Sequence, residues 1–329
     1  MTIDRHPESL KALIRSHLKA TGWEIFEVSY DSIADLSRFP LETVDAVFLA
    51  PARHFPTEHM DRLETCRLMQ IWSSGYDKFN AQDAHSRGIH VANNHGSNAV
   101  SVAEHAIFML LGVSRRAPEM HLRVTSGEWA GNDHGMSSYS VAGKNLGIVG
   151  LGNIGSLVAR RAEALDMNIL FSDPSPTPNA KSGWKRTTFI DLLETADYLS
   201  FHVHLTADTR AMLNLNNLHH LKRQPFLVNV SRAELVDRAA LERALSDGLL
   251  RGAALDAHYS EPTSAADSLW QHRNLFLSPH VAGSTVDSYI STVTSCVDNI
   301  QRAMAGQTPR GSVSADKMTP SEPSTNRTK

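Results

Sequence analysis

Short apolar runs alternate with longer polar, helix-like stretches along most of the chain. Four runs near the start predict strands, at Glu24–Ser29, Asp45–Ala50, Leu68–Trp72 and Ile89–Ala92. Helix-like segments separate them, among them Glu8–Ala20 and Thr57–Cys66. Six later runs predict buried strands, namely Leu146–Val149, Asn168–Ser172, Tyr198–Val203, Phe226–Val230, Gly252–Leu255 and Leu275–Leu277. Strands separated by crossover helices indicate parallel βαβ units, so we expect an α/β fold with doubly wound parallel sheets.

Two predicted helices mark the limits of two domains. The first runs from Ser101 to about Arg116, and the polar stretch Ala117–Asn145 after it has no clear period, which predicts an irregular connection. The second, Ser284–Ala305, has apolar positions at helical spacing and would return the chain toward the first domain. The final stretch, Gly311–Lys329, is rich in Ser, Thr, Pro and charge, and it predicts a disordered tail.

Composition places the chain among globular proteins. Its 329 residues have room for about two domains, and 41% hydrophobic and 20% charged residues exclude wholesale disorder. A formal net charge of −3 offers no basic footprint, so we expect neither nucleic acid nor a membrane as a partner. Two cysteines, no signal-peptide pattern and no apolar run long enough to span a membrane predict a cytoplasmic protein.

A glycine-rich loop stands between a predicted strand and a predicted helix. Its residues are Gly150, Leu151, Gly152, Asn153, Ile154 and Gly155. The first glycine permits a tight turn, the second lets the backbone approach a pyrophosphate, and the third lets helix and strand pack closely. Asp173 follows the next predicted strand, 18 residues after Gly155, where a carboxylate can accept both ribose hydroxyls and repels a 2′-phosphate. The loop predicts NAD rather than NADP as cofactor, and a purely structural glycine turn is the alternative.

Polar side chains also stand at the ends of three predicted strands. Arg232, Asp256 and His280 lie at or just after carboxyl ends, where open α/β sheets bind ligands, and Glu261 lies five residues after Asp256. A guanidinium can bind the carboxylate of a 2-keto acid. An imidazole can donate a proton to the carbonyl oxygen during hydride delivery, and a carboxylate bonded to it, as Glu261 could be to His280, favours the imidazolium. These residue types predict hydride transfer to a carbonyl.

Structural explanations stand beside these assignments. A single arginine after a strand is usually a solvated surface residue, and a single histidine is usually structural. The prediction therefore depends on Arg232 and His280 occurring together at one sheet edge. His202 and His204 share a strand face, and such a pair can bind a metal ion. With no Cys, Asp or Glu at ligand spacing nearby, we predict that they pack, and we predict no metal site.

From about Val44 to Pro309 the chain resembles the D-isomer-specific 2-hydroxyacid dehydrogenases. The matching motifs are SVAEH at 101–105, GLGNIG at 150–155, NVSRAELVD at 229–237, DAHYSEP at 256–262 and SPHVAG at 278–283. The resemblance implies two Rossmann-like domains and a homodimer built largely on the NAD-binding domain. The NAD-binding domain, 101–283, would be inserted into a flavodoxin-like substrate domain made of 1–100 and 284–310.

The resemblance also implies roles for single residues. Arg232 would bind substrate, and His280 would be the acid/base with Glu261 as its partner. Asp256 would contact the nicotinamide carboxamide. Besides the glycine loop and Asp173, the expected cofactor contacts are His204, Thr209, Val230, Ser231, Arg232, Asp256, His280 and Gly283. Thr209 matches the family's LTxxT pattern, whereas His204 stands where a proline is usual.

Two departures from other members bear on the reaction. Ala233 follows Arg232 where the family usually has glycine, so we expect the turn beside the site to differ. Asn98 resembles the asparagine with which formate dehydrogenases bind formate, but those enzymes have glutamine where this chain has Glu261. Formate oxidation releases no proton to a base, so the residues favour a keto-acid reductase over a formate dehydrogenase.

Three further residues are candidates for substrate binding. Ser74 and Gly75 lie in a segment that resembles the family's substrate loop, whose backbone N–H groups face the substrate carboxylate. Phosphite dehydrogenases carry lysine where Ser74 stands, which disfavours phosphite. Arg53 matches an arginine position of 3-phosphoglycerate dehydrogenases and is a candidate to bind a second anionic group, such as a phosphate, phosphonate or carboxylate. An exposed loop arginine is the alternative.

Together these features predict an NAD-dependent oxidoreductase that interconverts a 2-keto acid and a D-2-hydroxy acid. The alternative from another class is a non-enzymatic NAD(H) sensor similar to the C-terminal-binding-protein corepressors, which retain this fold and much of this site. A formate- or phosphite-type dehydrogenase is the remaining alternative.

Overall fold

The structure is a computed structural model that describes residues 1, 6–29, 32–33, 36–50, 54–76, 78–94, 96–129, 131–175, 177 and 180–313. The chain divides into two compact units. One consists of Met1–Asn98 with Thr285–Lys329, and the other of Ala99–Ser284. The sequence predicts these divisions at 100/101 and 283/284. No helix among the described residues is long and apolar enough to cross a membrane.

The first unit is built on a small parallel sheet. Its strands are β1 Ala46–Leu49, β2 Leu68–Ile71 and β3 His90–Ala92, and its helices are α1 Glu8–Lys19, α2 Thr57–Met60, α3 Ala81–Ser86 and α9 Val286–Met304. The strands pair in the order β1-β2-β3, with β2 fully buried. Asn299 of α9 is buried and donates from Nδ2 to Gln70 Oε1 of β2 at 3.0 Å. This bond between buried amides fixes α9 to the central strand.

Three predictions for the first unit differ from the structure, one in the element itself and two in its limits. Glu24–Ser29 is not part of a strand, because its backbone groups pair with Met1: Val28 N–H donates to Met1 O at 2.8 Å, and the Met1 amino group donates to Phe26 O at 2.8 Å. The helix predicted at Thr57–Cys66 ends at Met60, since the chain then turns to place Leu63 and Cys66 in the core.

The predicted disordered tail begins too early. Val313 is buried in the first unit's core, and its N–H donates to Val91 O at 2.9 Å, while Ser312 bridges Ala92. An apolar side chain that fills a core and a backbone donor that meets a strand fix this point of the chain. Residues 314–329 lie outside the described residues.

The second unit is built on a larger parallel sheet with helices on both faces. Its strands are β4 Asn145–Val149, β5 Asn168–Ser172, β6 Lys185–Arg186, β7 Tyr198–Phe201, β8 Phe226–Asn229, β9 Gly252–Leu255 and β10 Leu275–Leu277. Its helices are α4 Ala99–Ser114, α5 Ala117–Thr125, α6 Asn153–Glu163, α7 Phe189–Thr195 and α8 Arg238–Ser246. The strand order is β10-β9-β8-β7-β4-β5-β6, and every pair is parallel. The predicted α/β class with doubly wound parallel sheets is confirmed.

Two elements of the second unit were missed in the sequence. Strand β6 consists of two exposed charged residues, so no apolar run marks it. The stretch Ala117–Asn145, predicted as irregular, contains α5 and a 3₁₀ helix at Gly131–Ser137. Helix α5 begins with Pro118 in its first turn and has no buried residue among those described, so it shows no apolar periodicity.

The order of the strands creates a switch point at the carboxyl ends of β4 and β7. The chain leaves β4 toward β5 on one side, and it returns to the other side of β4 as β7. Crevices of this kind are where open α/β sheets bind their ligands. The loops after β4, β5, β7, β8, β9 and β10 all emerge at this edge.

Packing of α4 against β10 in the second unit depends on a glycine. A Cβ at Gly112 would lie 2.1 Å from Phe276 Cε1, so an added methyl group must displace a rigid ring. We expect Gly112→Ala to lower the free energy of unfolding by about 1–3 kcal/mol, measured by urea denaturation. Gly135→Ala is the control, because no heavy atom lies within 4 Å of its added Cβ. Equal stability of the two variants would contradict this packing constraint.

Candidate active site

The glycines of the loop after β4 differ in what constrains them. A Cβ at Gly150, where φ is 93°, would lie 2.7 Å from Val203 Cγ1, and a Cβ at Gly155 would lie 2.0 Å from Gly150 O. Protein packing therefore demands both glycines. A Cβ at Gly152 would meet no heavy atom within 4 Å. The protein's own packing therefore does not require glycine at position 152. A glycine there fits instead a backbone that the phosphates of a dinucleotide must approach closely.

Helix α6 begins in this loop with unsatisfied backbone donors. Gly152 is its N-cap residue and has no side chain to cap the first turn, which contains Asn153, Ile154 and Gly155. The free N–H groups and the helix dipole favour an anion at this end. These residues fit the pyrophosphate of NAD.

Asp173 follows β5 and is held beside the glycine loop. Its Oδ2 accepts the N–H of Leu151 at 2.8 Å, and its Oδ1 accepts the N–H of Ser175 at 2.8 Å. Each carboxylate oxygen keeps a second lone pair for a further donor. An acceptor fixed in this place fits the ribose hydroxyls of NAD.

The two histidines after β7 do not act as a pair. The backbone N–H of His202 donates to Val149 O at 2.8 Å, and its Nε2 lies 2.8 Å from Ser200 Oγ. Burial lowers the pKa of His202 to about 3, so its ring is neutral. His204 O instead accepts the hydroxyl of Thr209 at 2.6 Å. In the described part of the chain, no group of three or more Cys, His, Asp or Glu side chains is placed to hold a metal ion.

The loop after β8 is shaped by a residue that the sequence analysis did not single out. Asn229 is buried; its Oδ1 accepts the N–H of Ser231 at 3.1 Å, and its Nδ2 donates to Arg232 O at 2.8 Å. Ser231 also donates from its hydroxyl to Phe201 O at 2.9 Å, and Val230 is buried. Arg232 is thereby held in extended conformation, with φ −139°, at the carboxyl edge of the sheet.

Glu261 and His280 are in direct contact. His280 Nδ1 lies 2.8 Å from Glu261 Oε1 and 3.0 Å from Oε2, and both side chains are partly exposed. Oε1 also accepts the backbone N–H of His258 at 3.1 Å. The contact expected from the sequence is therefore present. A carboxylate in this place fixes the ring and leaves Nε2 to exchange a proton.

Asp256 lies behind this pair and is fully buried. Its Oδ1 accepts the N–H of Val281 at 2.9 Å and the hydroxyl of Ser278 at 2.6 Å, and its Oδ2 accepts the N–H of Ala282 at 2.8 Å. Burial acts to raise the pKa of Asp256, but the nearby His105, whose Nε2 lies 3.6 Å from Oδ1, and the hydrogen bonds from Ser278 and the two backbone groups prevail and lower it to about 2. Its predicted contact with the nicotinamide stays a prediction, because the carboxylate faces the loop that carries His280. Gly283 follows in the same loop.

Sequence analysis also missed the side chains that support this loop. His105 Nε2 of α4 lies 2.9 Å from Ser278 Oγ, and His258 Nε2 lies 2.8 Å from Ser278 O. The signal for His105 was a histidine within an apolar helix, which indicates a buried polar partner. Nothing local indicates that this partner lies 173 residues away.

The predicted substrate residues belong to the first unit. Ser74 Oγ lies 2.6 Å from Asn94 Oδ1 and 2.9 Å from Asn98 Oδ1, so Ser74 and Asn98 converge. Gly75 accepts the hydroxyl of Ser73 at 2.6 Å through its carbonyl oxygen. Arg53 lies outside the described residues.

The glycine loop yields a test that separates binding from folding. We expect Gly152→Ala to leave the unfolding midpoint unchanged and to weaken NADH binding at least about tenfold, because its Cβ meets no protein atom but stands where the pyrophosphate must approach. Gly155→Ala should lower both the unfolding midpoint and the affinity for NADH, since its Cβ would overlap Gly150 O. Fluorescence titration with NADH and thermal denaturation measure the two effects. Unchanged affinity in Gly152→Ala would contradict the placement of the cofactor.

Comparison with known proteins agrees with this geometry. The model of the D-isomer specific 2-hydroxyacid dehydrogenase NAD-binding domain matches residues 107–282. The glyoxylate reductase of Thermococcus litoralis is 32% identical over 287 residues, which cover 85% of this chain and 86% of that protein. The D-3-phosphoglycerate dehydrogenase of Bacillus subtilis is 30% identical over 301 residues, 91% of this chain and 57% of that protein.

A solved structure extends the likeness to the whole fold. The NAD-dependent formate dehydrogenase of Staphylococcus aureus in complex with NAD superimposes with a TM-score of 0.77 at 25% identity, covering 92% of this chain and 91% of that one. Sequence and structure thus agree along most of the chain, and it belongs to the D-isomer-specific 2-hydroxyacid dehydrogenases, a family of NAD-dependent oxidoreductases that act on CH–OH groups.

Proposed function

We propose that this chain reduces a 2-keto acid to a D-2-hydroxy acid with NADH. The observation that carries the proposal is the Glu261–His280 pair, with Nδ1 and Oε1 2.8 Å apart. This pair stands on the sheet edge that also carries Arg232 and the glycine loop. A proton donor, a cation for a carboxylate and a dinucleotide site are the parts that the reduction needs.

His280 is the proposed acid. NADH, when bound, would supply the hydride for the carbonyl carbon. Negative charge then develops on the carbonyl oxygen, and His280 Nε2 donates a proton to it, which leaves a neutral imidazole that solvent reprotonates. Glu261 accepts from Nδ1 and stabilises the imidazolium before transfer.

Arg232 is the proposed carboxylate-binding group. A guanidinium binds a carboxylate through two parallel N–H bonds, so it fixes the orientation of the keto acid as well as its charge. Asn229 supports this role by holding the backbone on either side of Arg232. In the first unit, the loop of Ser74 and Gly75 and the side chain of Asn98 are the proposed further contacts of the substrate.

The proposed cofactor contacts follow the same sheet edge. Asp173 binds the adenosine ribose, and the backbone of the loops after β7, β8 and β10 lines the dinucleotide. The residues proposed in these loops are His204, Thr209, Val230, Ser231 and Gly283.

We propose that Arg53 binds a second anionic group of the substrate. The support is the sequence match and the name of one relative, a D-3-phosphoglycerate dehydrogenase. The relatives named glyoxylate reductase represent the alternative, a substrate with no second anion.

Turnover of a substrate panel tests these proposals. We expect NADH consumption with glyoxylate or with a dianionic 2-keto acid, and we expect His280→Ala to lower kcat about 10²–10⁴-fold while NADH still binds. Arg53→Ala should raise KM for the dianionic acid and leave glyoxylate turnover unchanged. Full activity of His280→Ala would contradict the acid/base assignment. NADH binding without any turnover would favour the sensor.

We also propose a homodimer that forms through α5 and the 3₁₀ segment after it. Four large apolar side chains are exposed there, namely Leu122, Val124, Trp129 and Met136. Large apolar side chains left exposed along one stretch of the chain are typical of an association surface. We expect a dimer by light scattering, and a monomer after the double change Trp129→Glu and Met136→Glu. Leu215→Glu, at another exposed apolar residue, is the control and should remain dimeric. A monomeric wild type would contradict the proposal.

A further inference from the structure

His280 adopts a backbone conformation that its side chain does not favour. Its φ is 55°, in the left-handed region, where residues other than glycine are strained and persist only when their surroundings determine the conformation. Glycine would relieve the strain but has no imidazole. Something outside His280 must therefore hold the loop in this shape.

Asp256 supplies that restraint. Its two carboxylate oxygens accept the N–H groups of Val281 and Ala282, the two residues that directly follow His280. The His280 N–H itself donates to Ser278 O at 3.0 Å, and His258 Nε2 contacts the same oxygen at 2.8 Å. The backbone is thus held on both sides of the strained residue.

The hydrogen bonds beyond Asp256 have a fixed direction. Ser278 has one hydroxyl proton and donates it to Asp256 Oδ1 at 2.6 Å. Its oxygen must then accept from His105 Nε2, which lies 2.9 Å away. His105 therefore carries a proton on Nε2. Position 105 thus requires a hydrogen-bond donor, and an apolar side chain of similar size would not replace it.

We infer that His105, Ser278 and Asp256 form a buried hydrogen-bonded chain that positions His280 for proton transfer. The inference rests on the proposed function, because it assigns these residues to the placement of the proposed acid. Asp256 acts in this chain as a positioning residue, through its bonds to the N–H groups of Val281 and Ala282. These hydrogen bonds run from His105 on α4 through Ser278 to Asp256, whose carboxylate holds the loop after β10.

Paired variants of His105 test the inference with little change in volume or fold. His105→Gln keeps a side-chain N–H donor, whereas His105→Leu removes it. We expect His105→Gln to retain most of kcat and His105→Leu to lower kcat about 10-fold to 100-fold, with KM changed less than kcat. His90→Gln and His90→Leu, at an exposed histidine of the first unit, are the matched controls.

A pH profile separates positioning from general stability. When the loop relaxes, His280 loses its alignment with Glu261, so the alkaline limb of the kcat profile should move to lower pH in His105→Leu and in Asp256→Asn. In His105→Leu the Kd for NADH should stay within about twofold of wild type. Thermal denaturation establishes that each variant is folded at the assay temperature.

Each outcome bears on a different claim. Unchanged kcat and pH profile in His105→Leu would overturn the inference, and so would an Asp256→Asn variant with weaker NADH binding and an unchanged pH profile. The second result would indicate a direct contact of Asp256 with the nicotinamide. Neither would affect the proposed function, which fails instead if His280→Ala keeps its activity.

Discussion

Parallel strand pairing is the constraint on which the rest of this structure depends. Because all strand pairs among the described residues of the second unit are parallel, their carboxyl ends share one edge of the sheet. The loops that carry the glycines, Arg232, Glu261 and His280 are far apart in sequence and meet only for this reason. Burial of the apolar strands stabilises the sheet, and the site residues need contribute nothing to folding beyond their own loops.

Polar side chains buried at this edge need hydrogen-bond partners, and the partners that they find fix the shape of the loops. An unsatisfied buried polar group costs about 1–3 kcal/mol, so Asn229 and Asp256 must find partners. Both find them in the backbone of the loop that follows a strand. A loop shaped in this way has few alternative conformations, which is the condition that a site for hydride and proton transfer requires.

Sequence reasoning succeeded where the physical signal is local. The strands of the second unit are apolar runs, and the glycine loop has its fixed spacing, so both could be placed. Strand β6 and helix α5 bury nothing that would mark them, and Glu24–Ser29 has a strand-like composition but pairs with Met1. The Glu261–His280 contact follows from the parallel sheet edge, whereas the contact of His105 with Ser278 depends on how α4 lies against the sheet.

The charge of Asp256 explains how one site can be both strained and active. Burial would favour the neutral acid, but the hydrogen bonds to its oxygens keep its pKa near 2. It therefore stays ionised over roughly pH 5 to 8, the range in which imidazoles exchange protons. The group that holds the loop does not change its charge while His280 changes its own. Restraint and proton transfer can thus operate in the same loop without interfering, because the carboxylate that holds the backbone is not the group that gives up the proton.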